Sequence, residues 1–148
     1  MAESPSTSIT PYLTVRDAAA AIDFYKTAFG AEEIYRISTG GTIGHAELRI
    51  GKALLMLSDE FPDMGVLSPE TRGGSPVALH LYVDDVDAFA DKAVAAGAKI
   101  LRPVEDQFYG DRSGKLEDPF GHIWWFATHK EDLTPEEIKR RATELYGA

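Results

Sequence analysis

One pattern occurs twice in this chain, and it restricts the possible folds more than any other feature. Residues 77–100, VALHLYVDDVDAFADKAVAAGAKI, open with alternating apolar positions, as a half-buried strand does. Asp84 and Asp85 then offer an N-cap, and Val86, Phe89, Ala90, Ala93 and Val94 form an apolar stripe at helical spacing before Gly97 stops the helix. Residues 11–34, PYLTVRDAAAAIDFYKTAFGAEEI, repeat this order. Val15 answers Val83, Asp17 answers Asp85, and Gly30-Ala31 answers Gly97-Ala98, with Ile22, Tyr25 and Phe29 on one helical face. A tandem duplication follows, with function expected where the copies meet.

The rest of each copy reads as three strands. In the first, residues 32–38, 42–50 and 53–57 are strands separated by the turn signals Gly40-Gly41 and Gly51-Lys52. In the second they fall near residues 99–104, 113–117 and 122–128, with an irregular loop over 105–112. The expected fold is α+β, two tandem βαβββ modules forming a cupped mixed sheet. The modules span residues 9–58 and 77–129, within one domain of 148 residues. Residues 59–76 form a Pro- and Gly-rich inter-module loop, either a lid or a passive linker, whose Phe61, Met64, Val66 and Leu67 call for a docking surface. Thr134-Pro-Glu-Glu137 is a capping box opening a C-terminal helix over 134–146, with Ile138, Ala142 and Leu145 as its apolar edge.

Alternation also assigns faces. If a helix covers one face of each sheet, Leu13, Val15, Ala46, Leu48, Leu79 and Leu81 lie beneath it. Tyr12, Ile43, His45, Glu47, Arg49, His80 and Tyr82 then project from the other face. Inward histidine and glutamate are costly unless paired, which marks that face as a candidate site. Trp124 belongs to the core and Trp125 to the open face. With Tyr12, Tyr82, Phe108 and Tyr109 it suits a planar or cationic small molecule. Arg112 either clamps an anionic group or ties its loop to local acids. His122 and His129 read as structural or exposed.

Composition excludes several classes. No cysteine is present, so thiolate metal sites and cysteine nucleophiles are absent, and 24 acidic against 15 basic residues oppose nucleic acid binding. MAESPSTS lacks the apolar run of a signal peptide, and no stretch has the length of a membrane span, so a cytoplasmic location is expected.

The segments PYLTVRDAAAAIDFYKTAFGAE, IGHAELRIG, LHLYVDDVDAF and GDRSGKLEDPFGHIWWFATH resemble the vicinal oxygen chelate superfamily of glyoxalases, bleomycin-resistance proteins and extradiol dioxygenases, and within it the PhnB-like branch. That resemblance implies a homodimer and a small-molecule cavity between modules, from one chain or from two. It maps the four metal-ligand positions onto Tyr12, Glu47, His80 and Trp125, of which Glu47 and His80 keep the family's ligand types. Two functions follow as expectations. One is a small-molecule-binding protein without a complete metal site. The other is a glyoxalase- or dioxygenase-like enzyme using Glu47 and His80, with His45 as a third ligand, for a divalent Ni, Zn, Mn or Fe ion.

Overall fold

The computed structural model describes residues 6–147, which divide into two compact units at Gly73 and Gly74. The first contains β1 (Tyr12–Val15), α1 (Ala18–Phe29), β2 (Glu32–Thr39), β3 (Thr42–Ile50) and β4 (Ala53–Asp59). Its sheet has the order β1-β4-β3-β2, with β1 parallel to β4 and the other pairs antiparallel. α1 begins where the Asp17 carboxylate accepts the Ala20 amide at 3.0 Å, and it ends at Gly30, whose φ of 69° a side chain would resist. Ala21, Ile22, Tyr25 and Phe29 are buried, as are Val15, Ala46, Leu48, Leu55 and Leu57 of the sheet that α1 contacts. Cutting any of these leucines to alanine removes about 2–5 kcal/mol, because the cavity collapses only in part.

The second unit repeats this plan with β5 (Ala78–Tyr82), α3 (Val86–Ala95), β6 (Lys99–Asp106), β7 (Asp111–Glu117) and β8 (Ile123–His129), in the order β5-β8-β7-β6. The two helix starts are fixed alike. The Ala18 amide donates to Asp59 Oδ1 at 2.7 Å, and the Val86 amide donates to Thr128 Oγ1 at 2.9 Å. Side chains near the ends of β4 and β8 thus satisfy an amide that the first turn of a helix leaves open. α4 (Pro135–Tyr146) follows, capped by Thr134, which accepts the Glu137 amide.

Several boundaries differ from the sequence reading. Ile9 is 96 % exposed and precedes β1, and Val77 is likewise exposed ahead of β5. Val94 is 49 % exposed, so it lies at the edge of the helical stripe and not within it. The irregular loop over 105–112 shrinks to the turn 107–110, because β6 and β7 pair as far as Asp106 and Arg112. Ile43 is buried rather than open-faced. A bulge between the pairs Ile37↔His45 and Ser38↔Ile43 leaves an extra residue in β3 and reverses the alternation before His45. Residues 59–76 carry structure of their own: a 3₁₀ turn at Pro62–Met64, a bridge between Phe61 and Val66, and one-turn α2 (Pro69–Arg72) capped by buried Ser68. Among the described residues no helix is long and apolar enough to cross a membrane.

Candidate functional site

Strand register lays four residues in a row across the first sheet, on the face away from α1. Tyr12 of β1 pairs with Met56 of β4, Met56 with Glu47 of β3, and Glu47 with Tyr35 of β2. His45, one pleat along β3, joins the row by hydrogen bonds. Its Nδ1 lies 2.7 Å from the Tyr12 hydroxyl and its Nε2 lies 2.8 Å from Glu47 Oε2, which also accepts the Tyr35 hydroxyl at 2.8 Å. An ionised Glu47 can only accept, so with a neutral ring Nε2 carries the hydrogen and Nδ1 accepts the Tyr12 proton. The bonds from His45 and then Tyr35 hold the Glu47 carboxyl below its ordinary range, and Glu47 in turn raises the Tyr35 phenol. The imidazole lies near both phenol rings, with centroids 5.3 Å from Tyr12 and 5.7 Å from Tyr35. Tyr35 was absent from the sequence-based set. The alternation that places Glu47 outward also reaches Tyr35, but only the register between β2 and β3 brings them together.

The loop after β4 roofs part of this face. Tyr12, Thr14, Gly44 and Ser58 of the sheet and Phe61, Met64 and Val66 of the loop enclose an open-sided pocket of about 500 Å³. Of the four apolar loop residues, Phe61, Met64 and Val66 edge this pocket beside the Tyr12–His45 pair, Met64 with 79 % of its surface exposed, and Leu67 is not in its lining. Gly44 keeps the floor low, since nothing lies within 4 Å of where its Cβ would stand.

In the second sheet the corresponding row is His80 of β5, Trp125 of β8, Lys115 of β7 and Arg102 of β6. Lys115 Nζ lies 5.3 Å and Arg102 Cζ 5.9 Å from the Trp125 ring centroid. The Tyr82 ring packs tilted against His80, with centroids 4.7 Å apart, and its hydroxyl donates to buried Asp111 at 2.7 Å. Asp111 also meets His129 Nδ1 at 2.9 Å, while His129 Nε2 reaches Asp132 at 2.7 Å, so His129 is a paired group at the strand exit. Tyr109 bonds to Ser113 at 3.2 Å, and Phe108 packs edge-on against Tyr146 of α4.

Of the two readings of Arg112, a clamp for an anionic group or a tie to local acids, the contacts observed are those of a tie. Its guanidinium forks onto Asp87 of α3 at 2.9 and 3.0 Å and reaches Asp106 at 3.2 Å. Alternation along β7 puts it on the helix side with Leu116, opposite Lys115. These carboxylates raise its pKa and take up its donors, so it serves as a tie between α3 and the β6–β7 hairpin.

The expected metal positions also change. Because Tyr12 pairs with Met56 as His80 pairs with Trp125, the first-unit counterpart of Trp125 is Met56, and Glu47 corresponds to Lys115. The paired positions thus hold Tyr12 with Met56 and His80 with Trp125. Indole offers no acceptor, a thioether is a weak one, and the Tyr12 hydroxyl is engaged with His45. Two cations beside Trp125 would further oppose a divalent ion. This donor set does not fit the family's metal. Among the described residues no three His, Cys, Asp or Glu side chains form a metal-holding group.

Comparison with known proteins agrees with this fold. Residues 7–126 match the family model described as Glyoxalase/Bleomycin resistance protein/Dioxygenase superfamily. An uncharacterized protein of Mycobacterium bovis is 42% identical over 143 residues, covering 94% of each chain. A crystal structure of an Arabidopsis thaliana gene product superposes with a TM-score of 0.67 at 32% identity, over 83% of this chain and 99% of that one. A fosfomycin resistance protein from Listeria monocytogenes, crystallised with Mn(II), shares the fold with a TM-score of 0.65 at 20% identity, over 94% and 99% of the two chains. With the repeated βαβββ plan and a family match covering most of its length, this chain belongs to the glyoxalase/bleomycin resistance protein/dioxygenase superfamily.

Proposed function

We propose that this protein binds a small molecule on the open faces of its sheets and acts without the family's complete metal set. The observation that carries the reading is the first-unit pocket of about 500 Å³, with apolar loop residues on one side and the Tyr12–His45–Glu47 chain beside it. That size falls in the range of small-molecule sites, and a few convergent polar groups among apolar walls are what such sites use for orientation. A planar apolar body with one polar end matches it. The same reading keeps the protein on the PhnB-like branch, as a cytoplasmic homodimer. The exposed aromatic positions of both sheets, Tyr12 at 51 % and Tyr82 at 60 %, support a second copy.

The test is a thermal-shift screen of aromatic and alicyclic compounds against wild type and Gly44→Val. Gly44 lies in a strand and lacks a positive φ, so valine fits the backbone while filling the floor. Compounds that stabilise wild type should lose their effect in the variant. A screen with no hit that depends on Gly44 would discard the pocket.

The Tyr12–His45–Glu47 chain favours a second reading, proton transfer without a metal. Tyr12 would take a proton from bound substrate as its own passes to His45, whose imidazolium Glu47 stabilises. Deuterium exchange at the α-carbon of a pocket-bound ketone, lost in Glu47→Gln with binding retained, would support it. Equal exchange in the variant would remove it.

A further inference from the structure

The second sheet carries a feature that the pocket of the first does not explain. Resting on the reading that the open faces bind a small molecule, we propose that the row His80–Trp125–Lys115–Arg102 takes a planar aromatic carboxylate, its ring beside Trp125 and its charge held by Lys115 and Arg102.

The argument begins with charge. This chain holds 24 acidic and only 15 basic residues, yet among the described residues fewer than half of the basic ones form an ion pair, so what distinguishes Lys115 and Arg102 is their shared place at Trp125. Arg36, Arg112, Arg140 and Arg141 each take one or more carboxylates. Among the described residues Lys115 and Arg102 form no ion pair, although both stand beside one indole. Two like charges on neighbouring strands repel, and an anion placed between them relieves that repulsion while gaining two charge-assisted bonds. The arginine can contribute a planar two-donor fork and the lysine a point charge.

Geometry sets the shape of the occupant. The four residues lie on four adjacent strands in sheet order, so the row spans about 14 Å at the usual strand spacing. That length accommodates a two-ring body with a carboxylate at one end. Trp125 is half-buried with both cations over its ring, and His80 ends the row with an exposed imidazole tilted 56° to the Tyr82 ring. Glu117, two positions along β7, is the nearest acid in the strand, and its register partner is Lys99. The net charge of −9 opposes an anion from a distance, but that field is screened over about 10 Å in 0.1 M salt. The contact pair acts inside that distance and decides the sign. A cationic ligand, which overall acidity would suggest, is disfavoured at this indole.

The probe is 2-naphthoate, measured by calorimetry in 0.1 M salt against its neutral and cationic counterparts, 2-naphthalenemethanol and 2-naphthylmethylammonium. Naphthoate should bind at least tenfold more tightly than the alcohol, with the ammonium weakest. The double variant Arg102→Met, Lys115→Met, which keeps the apolar stems, should lose tenfold or more for naphthoate and little for the alcohol. An unchanged urea midpoint would show that the variant is folded. Gly44→Val should leave naphthoate binding intact, which separates this site from the first-unit pocket. No naphthoate binding, equal affinity for the alcohol, or full affinity in the double variant would each overturn the proposal. Binding lost in Gly44→Val but kept in the double variant would overturn it while leaving the first pocket standing.

Discussion

The Tyr12 hydroxyl lies 2.7 Å from Nδ1 of His45, on a different strand and 33 residues further along the chain. This contact links the edge strand of the first sheet to the Glu47 carboxylate and gives the row a direction for proton movement. Glu47 is held below its ordinary value of 4.5 by His45 and Tyr35. The stability from these bonds is therefore complete above pH 4.5 and is lost as pH falls through the lower folded value. Carbon-detected titration of the Glu47 carboxyl should show a midpoint below 4.5. In a His45→Leu, Tyr35→Phe background, which removes both donors, the midpoint should return to the ordinary value. A normal midpoint in wild type would mean the chain is not formed in solution.

His129 behaves in the opposite sense. Asp132 and then Asp111 raise its pKa above 6.5. The stabilisation is complete below pH 6.5 and disappears as pH rises through the folded value. Urea midpoints measured from pH 6 to pH 9 should decline in wild type more than in His129→Asn. Parallel curves for the two proteins would remove the pairing as a contributor.

Asp118 holds the turn before β8. It is 3 % exposed and accepts the amides of Phe120 and His122 at 2.9 and 3.0 Å and the Trp124 indole N–H at 2.9 Å. Asp118→Ala strands three donors and should cost about 2–3 kcal/mol in urea unfolding. Asp118→Asn keeps an acceptor and should cost less. Equal losses would show that the carboxylate's acceptor geometry is not what matters.

Arg112→Ala should lower the melting temperature by a few degrees, because α3 loses its tie to the hairpin. Naphthoate affinity should stay as in wild type, since the guanidinium serves the opposite face. A large loss of affinity with unchanged stability would restore Arg112 as a ligand-binding group.

The donor set leads to a prediction about metals. Calorimetric titration with Ni, Zn, Mn and Fe(II) should give no stoichiometric uptake, and dialysis against a chelator should leave the melting temperature unchanged. Tight uptake abolished by His80→Ala would overturn the reading of Tyr12, Met56 and Trp125 as non-ligands.

Local chemistry was legible in the sequence because it depends on residues a few positions apart. Asp17 and Asp85 cap helices, the two βαβ starts repeat, and Trp124 and Trp125 part to opposite faces, all through periods of 3.6 and 2. Relations between strands were not legible. A bulge near Ile37 and Ile43 moved Ile43 into the core, and register, not alternation, made Met56 the counterpart of Trp125 and placed Tyr35 on Glu47. Alternation tells each strand which side is up but carries no information about which residue on the next strand stands beside it. Pairing alone sets that, which is why the sequence by itself determined the two βαβββ halves and the strand faces away from the bulge, but not that of Ile43. Only the tertiary structure decided that His45 joins Tyr12 to Glu47, that Lys115 and Arg102 flank Trp125, and that Arg112 faces the helix.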